Sequence, residues 1–83
     1  MRLLYFAWVR ERIGTGEETV EPPVTVRTVS DLAGWLKDRS PGHADALADL
    51  SKLRAAVDQR FVPLDGELGA AQEVAFFPPV TGG

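Results

Sequence analysis

The chain has 83 residues and a mass of 9.0 kDa, enough for one small domain and too little for two. Hydrophobic residues make up 45% and charged residues 25%, ordinary globular usage that argues against both disorder and a fibrous repeat. Nine Lys and Arg against twelve Asp and Glu give a net charge of -3, and no Lys or Arg follows Arg60, so no basic stripe is available for a nucleic acid.

The run Leu3 to Val9 is apolar on both alternating faces and predicts a strand in the middle of a sheet. It is far shorter than the roughly 20 residues that span a bilayer. It runs into Arg10, Glu11 and Arg12 without a small-residue cleavage site, so neither a membrane nor secretion is expected and the expected home is cytoplasmic. Gly14-Thr15-Gly16 marks a turn. Thr19, Val20, Val24 and Val26 suggest a second strand over Glu18 to Arg27, which Pro22-Pro23 confines to a sheet edge, because proline cannot donate to the ladder. Thr28-Val29-Ser30-Asp31 is a helix start, with a hydroxyl capping the first turn and an acid three residues on bonding back. Leu32, Trp35 and Leu36 form the apolar stripe of that helix. Ser40-Pro41 begins another, weaker helix, with Ala44, Leu47, Ala48 and Leu50 as its stripe. Leu53 to Asp58 and Phe61 to Leu64 read as strands, Asp65-Gly66 as a turn, and Glu73 to Phe77 as the last strand. This order predicts an α+β fold with helices on one face of a mixed sheet.

The chain contains no cysteine, so disulfides, thiolate metal sites and thiol nucleophiles are excluded, and a lone histidine, His43, cannot form a His cluster for zinc. His43 is expected at the surface, because its sequence neighbours suggest no acid–base partner. The acidic pairs Glu17-Glu18 and Asp65 with Glu67 lie in turn-like polar contexts and read as solvated surface, as do Arg10, Glu11 and Arg12.

The segment with the clearest chemistry is Pro78-Pro79-Val80-Thr81-Gly82-Gly83, uncharged, following a strand and ending in two glycines. Two prolines stop the strand and hold the chain extended, so residues 78–83 reach roughly 20 Å as a projecting tail beyond a domain over residues 1–77. Two residues without a Cβ let the backbone enter a channel that a side chain would block. An α-carboxylate is inert to acyl transfer until an ATP-using partner converts it to an acyl-adenylate, after which a sulfur donor can make a thiocarboxylate.

The stretch Glu73-Val74-Ala75-Phe76-Phe77-Pro78-Pro79-Val80-Thr81-Gly82-Gly83, supported by Phe6-Ala7, Val9-Arg10-Glu11 and Ala55-Ala56-Val57-Asp58, resembles the small subunit of molybdopterin synthase, a ubiquitin-like sulfur carrier with the β-grasp fold. The resemblance spans essentially the whole chain. It departs at Trp8, where a polar residue is common, at Asp58, where asparagine is usual, and at Pro22-Pro23. It implies that an adenylating enzyme related to the ubiquitin-activating enzymes acts on Gly83, that a sulfur donor protein supplies the sulfur, and that the tail enters the large subunit. There the sulfur passes to cyclic pyranopterin monophosphate to build the molybdopterin dithiolene. It further implies a heterotetramer of two small and two large subunits, with no cofactor held by this chain and the catalytic side chains on the large subunit.

Phe76 and Phe77 are adjacent in a strand and point to opposite faces. Either both are covered within the domain or one faces a partner, and on the second reading Phe77, with Phe6 and Trp8, forms the expected apolar interface patch. A ubiquitin-type modifier conjugated to lysines through Gly83, a carrier for another thiolation pathway and an interaction module with an inert tail are the competing readings. Covalent conjugates in lysate mark the first, and indifference to deletion of Gly83 marks the last.

Overall fold

The computed structural model describes residues 1–79. In chain order the elements are β1 (Arg2–Tyr5), α1 (Ala7–Ile13), β2 (Glu17–Thr19), α2 (Val29–Leu36), α3 (Pro41–Ala46), a single 3-10 turn (Leu50–Lys52), β3 (Arg54–Val57), β4 (Arg60–Val62) and β5 (Glu73–Phe77). The five strands form one mixed sheet in the order β2-β1-β5-β3-β4. β1 and β5 pair in parallel, with Tyr5 opposite Phe76, and the other neighbours pair antiparallel. No helix among the described residues is long and apolar enough to cross a membrane.

Alternation divides the sheet into two faces. Leu3, Tyr5, Val74 and Phe76 point to the helix side and are essentially buried, meeting Val9 of α1, Val29, Leu32 and Leu36 of α2, and Ala46 beside Leu47 from α3. Each large side chain buried there contributes about 1.5–3 kcal/mol. α2 starts as its sequence dictates. The Thr28 hydroxyl accepts from the Asp31 N–H at 3.1 Å while the Asp31 carboxylate accepts from the Thr28 N–H at 3.2 Å, a reciprocal cap of about 1 kcal/mol.

The first strand is shorter than its apolar run. It ends at Tyr5 because Ala7 takes φ 54, a left-handed conformation that breaks the ladder and starts α1. That conformation costs an alanine about 1 kcal/mol, which complete burial of Val9 offsets. The second strand is also shorter than expected, three residues instead of ten, and it lies at the sheet edge. Its last ties join Val20 and Met1, the Val20 N–H donating to the Met1 carbonyl and the Met1 amine to the Val20 carbonyl, before Pro22-Pro23 withdraw their donors. The second helix stripe is His43, Ala46 and Leu47, because α3 spans only Pro41–Ala46 and its inward face is set from Ser40-Pro41; Ala48 is exposed. β4 begins at Arg60 because Asp58 and Gln59, both with positive φ, form the tight hairpin turn from β3.

α3 approaches α1 through Gly42, where a Cβ would collide with the Arg12 carbonyl oxygen. Gly42→Ala is expected to force these helices apart and to cost about 1–3 kcal/mol, read as a lower midpoint in urea unfolding.

Candidate functional site

β5 occupies the centre of the sheet, paired on both sides, and ends at Phe77, so Pro78 follows directly on the central strand. Pro78 is half-buried and Pro79 exposed; the expected tail residues Val80, Thr81, Gly82 and Gly83 lie outside the described residues.

The sheet face opposite the helices carries a shallow apolar depression built from Leu4 and Phe6, Ala75 and Phe77 of β5, Ala56 of β3 and Phe61 of β4. Phe6 is 48% exposed and Phe61 84%, and the Phe61 and Phe77 rings lie 5.6 Å apart at 47°. Arg2 spans the rim, 3.3 Å from Glu17 and 3.7 Å from Glu73. An apolar centre with a charged border is the usual anatomy of a protein–protein contact surface.

Of the expected anchors, the structure brings Phe6 and Phe77 onto this face and leaves Trp8 elsewhere. In a continuous strand Leu4, Phe6 and Trp8 would share one face, but the turn at Ala7 ends the alternation. Trp8 instead packs on the core under the Arg12 guanidinium, 4.6 Å from its ring centre. Phe61 was not singled out as a site residue from the sequence. Its partnership with Phe77 depends on β3 lying between β4 and β5, a strand order that alternation within β4 does not reveal.

His43 is not a surface residue. It is 8% exposed, its Nε2 donates to the Glu18 carboxylate at 2.6 Å, and its Nδ1 meets the Ser40 hydroxyl at 2.7 Å. The partner that the local sequence lacked comes from β2, 25 residues earlier. Glu18 also accepts from the Tyr5 hydroxyl at 2.8 Å and faces the Arg39 guanidinium at 3.4 Å. Burial, then the bond to Glu18, pushes the Tyr5 phenol well above its ordinary range, so it remains a donor. Partial burial pushes the Glu18 carboxyl up, but bonds from His43 and Tyr5 and the nearby Arg39 charge outweigh it and hold the group below the usual glutamate range.

A carboxyl whose folded pKa lies below its unfolded value of about 4.3 contributes stability that is complete above that value and is lost as pH falls through the folded one. Urea midpoints measured from pH 7 down to pH 3 should therefore drop further for the wild type than for Glu18→Gln, which has no proton to take up. Equal slopes would show that Glu18 titrates alike in both states.

Among the described residues no group of three or more His, Asp or Glu is arranged to hold a metal ion. The sequence pattern of the ThiS family matches residues 3–83. The chain belongs to the ThiS family. This ThiS-family chain is 45% identical over 83 residues to the molybdopterin synthase sulfur carrier subunit of Escherichia coli, covering 100% of this chain and 99% of that one. Among solved structures it is similar to molybdopterin converting factor subunit 1 from Pyrococcus furiosus, with a TM-score of 0.74, 32% identity and 95% of each chain covered. It is also similar to SAMP1 from Haloferax volcanii, with a TM-score of 0.73, 25% identity, and 100% of this chain and 98% of the other covered. These neighbours bear out the β-grasp fold that the resemblance implied, and the mixed sheet with its helices bears out the α+β arrangement expected from the order of elements.

Proposed function

We propose that this ThiS-family chain is the sulfur carrier subunit of a molybdopterin synthase and serves molybdenum cofactor biosynthesis. The observation that carries this reading is end-to-end similarity to a sulfur carrier subunit in a chain whose central strand leads directly into Pro78-Pro79 and a Gly82-Gly83 terminus.

The domain is a handle and the terminus is the reagent. An ATP-using adenylating enzyme joins the Gly83 carboxylate to the α-phosphate of ATP with loss of pyrophosphate. Sulfur from a donor protein then takes the place of AMP on the acyl carbon, leaving a thiocarboxylate. Pro78 and Pro79 hold the root extended, and Val80, Thr81, Gly82 and Gly83 enter the large subunit, where the sulfur passes to cyclic pyranopterin monophosphate. The apolar face centred on Phe6, Phe61 and Phe77 supports docking to the large subunit, close to where the tail departs. The chain supplies no thiol of its own, so the sulfur it carries has no internal cysteine to be diverted to. This chemistry belongs to the cytoplasm, where the proposed large subunit, adenylating enzyme and sulfur donor would meet the carrier.

Intact mass spectrometry of the chain, incubated with adenylating enzyme, ATP and sulfur donor, tests the reading. A mass gain equal to exchanging one oxygen for sulfur, absent when Gly83 is deleted, is the expected result. An unchanged mass beside a demonstrably active enzyme counts against it, and high-mass adducts through Gly83 would move the assignment to a protein modifier.

A further inference from the structure

Glu18, His43 and Tyr5 form a polar cluster on the helix side of the sheet, away from the apolar docking face, and the sulfur chemistry uses none of them. Three elements meet at one carboxylate. Glu18 is the middle residue of β2, and the same oxygen, Oε2, receives the Tyr5 hydroxyl at 2.8 Å from β1 and His43 Nε2 at 2.6 Å from α3. Ser40 fixes the imidazole from its other side, its hydroxyl 2.7 Å from Nδ1 while accepting the His43 backbone N–H at 3.1 Å. Burying charged and polar groups in so small a core brings little net stability over an apolar filling, and a common return is a fixed geometry.

What the cluster fixes is the Tyr5 ring. Held at its hydroxyl, that ring meets His43 edge-on at 6.1 Å and lies nearly parallel to Phe76, with 18° between planes and 6.4 Å between centroids. Tyr5 and Phe76 are register partners in the parallel pair, and the last tie beyond them is the Phe6 N–H to the Phe76 carbonyl at 3.2 Å. One residue later Phe77, still paired with Arg54 of β3, ends the strand and the chain enters Pro78.

We propose that Glu18 and His43 are a positioning pair for the root of the tail: through the Tyr5 hydroxyl they hold the final β1–β5 rung, two residues before Pro78. The proposal rests on the carrier reading for its consequence in activation. A loose rung lets the root sample more directions, so the adenylating enzyme meets a correctly aimed terminus less often and handles it normally once bound. KM for the carrier then rises while kcat stays fixed.

Amide hydrogen exchange on the full chain tests it, reading the Phe6 N–H at the tail end of the β1–β5 pair against the Asp58 N–H, which bonds the Glu73 carbonyl at 2.9 Å at the other end of β5. Glu18→Ala and Tyr5→Phe are expected to speed Phe6 exchange about tenfold and leave Asp58 unchanged. Glu18→Gln, which still accepts both hydrogen bonds, should stay at the wild-type rate. Tyr5→Phe keeps the ring and covers the case in which Glu18→Ala does not fold. If Phe6 and Asp58 accelerate together, or Phe6 does not move, the positioning role is overturned. Adenylation kinetics on the same proteins should show a raised KM at constant kcat for Tyr5→Phe alone among the two conservative variants. Should the wild-type chain itself not be adenylated, the carrier reading fails, while the comparison of amides still decides whether the pair holds the rung.

Discussion

Phe76→Ala is expected to leave the chain largely unfolded or close to it. Phe76 is completely buried at the centre of the middle strand, stacked with Tyr5 and packed within the single core. Truncating such a phenylalanine costs about 3–5 kcal/mol, lost transfer energy plus the cavity left behind. A domain of this length has on the order of 4–12 kcal/mol in total, so the substitution removes a large share of the margin. Urea titration followed by the fluorescence of Trp8 and Trp35 measures it. The midpoint should fall steeply for Phe76→Ala and by about 1.5 kcal/mol or less for Phe76→Leu, which keeps most of the volume. A loss below about 1 kcal/mol for the alanine variant would mean that the core collapses around the gap.

Phe61→Ala should do the opposite, sparing the fold and weakening association with the large subunit. The ring is 84% exposed, and its contact with Phe77 is worth at most about 1 kcal/mol, so the unfolding midpoint should barely move. If the face is the docking surface, Phe61 has the size and position of an interface hot spot. Truncation then costs about 2 kcal/mol or more, roughly a thirtyfold weaker complex. Calorimetric titration of the variant into the large subunit reads this directly. Trp8→Ala is the informative contrast, since Trp8 packs on the core away from that face and should lower stability more than affinity. Equal weakening by both would place the contact surface across α1 instead.

These contrasts follow the line between what local sequence expresses and what it does not. α2 was legible from its first residue because its start depends on atoms within four positions, the Thr28 hydroxyl and the Asp31 carboxylate. β5 was legible as the apolar run from Glu73 to Phe77 stopped by Pro78-Pro79. The edge position of β2 followed from Pro22-Pro23. The end of β1 was not legible, since Ala7 has no residue-level signature for a left-handed conformation and adopts it because Val9 then reaches the core. The same turn displaced Trp8 from the face where alternation had set it. His43 and Phe61 share a second cause: their partners, Glu18 and Phe77, lie far away in sequence and are supplied by the order of strands. Phe6 and Phe77 were expected at an interface as exposed aromatics beside the strands, and the parallel pairing of β1 with β5 brings both onto one face.

The parallel pairing of β1 with β5 also governs when the molecule can exist. β1 lies beside β5, 68 or more residues later in the chain, and the sheet has no centre until Glu73–Phe77 has emerged from the ribosome. Contacts so distant along the chain slow folding, and here they postpone it until β5 has been made. A nascent chain stopped short of β5 loses the middle of its sheet and not an edge. Termination before β5 therefore yields a polypeptide for proteases to clear, and not a partly folded domain that competes for the same docking surfaces.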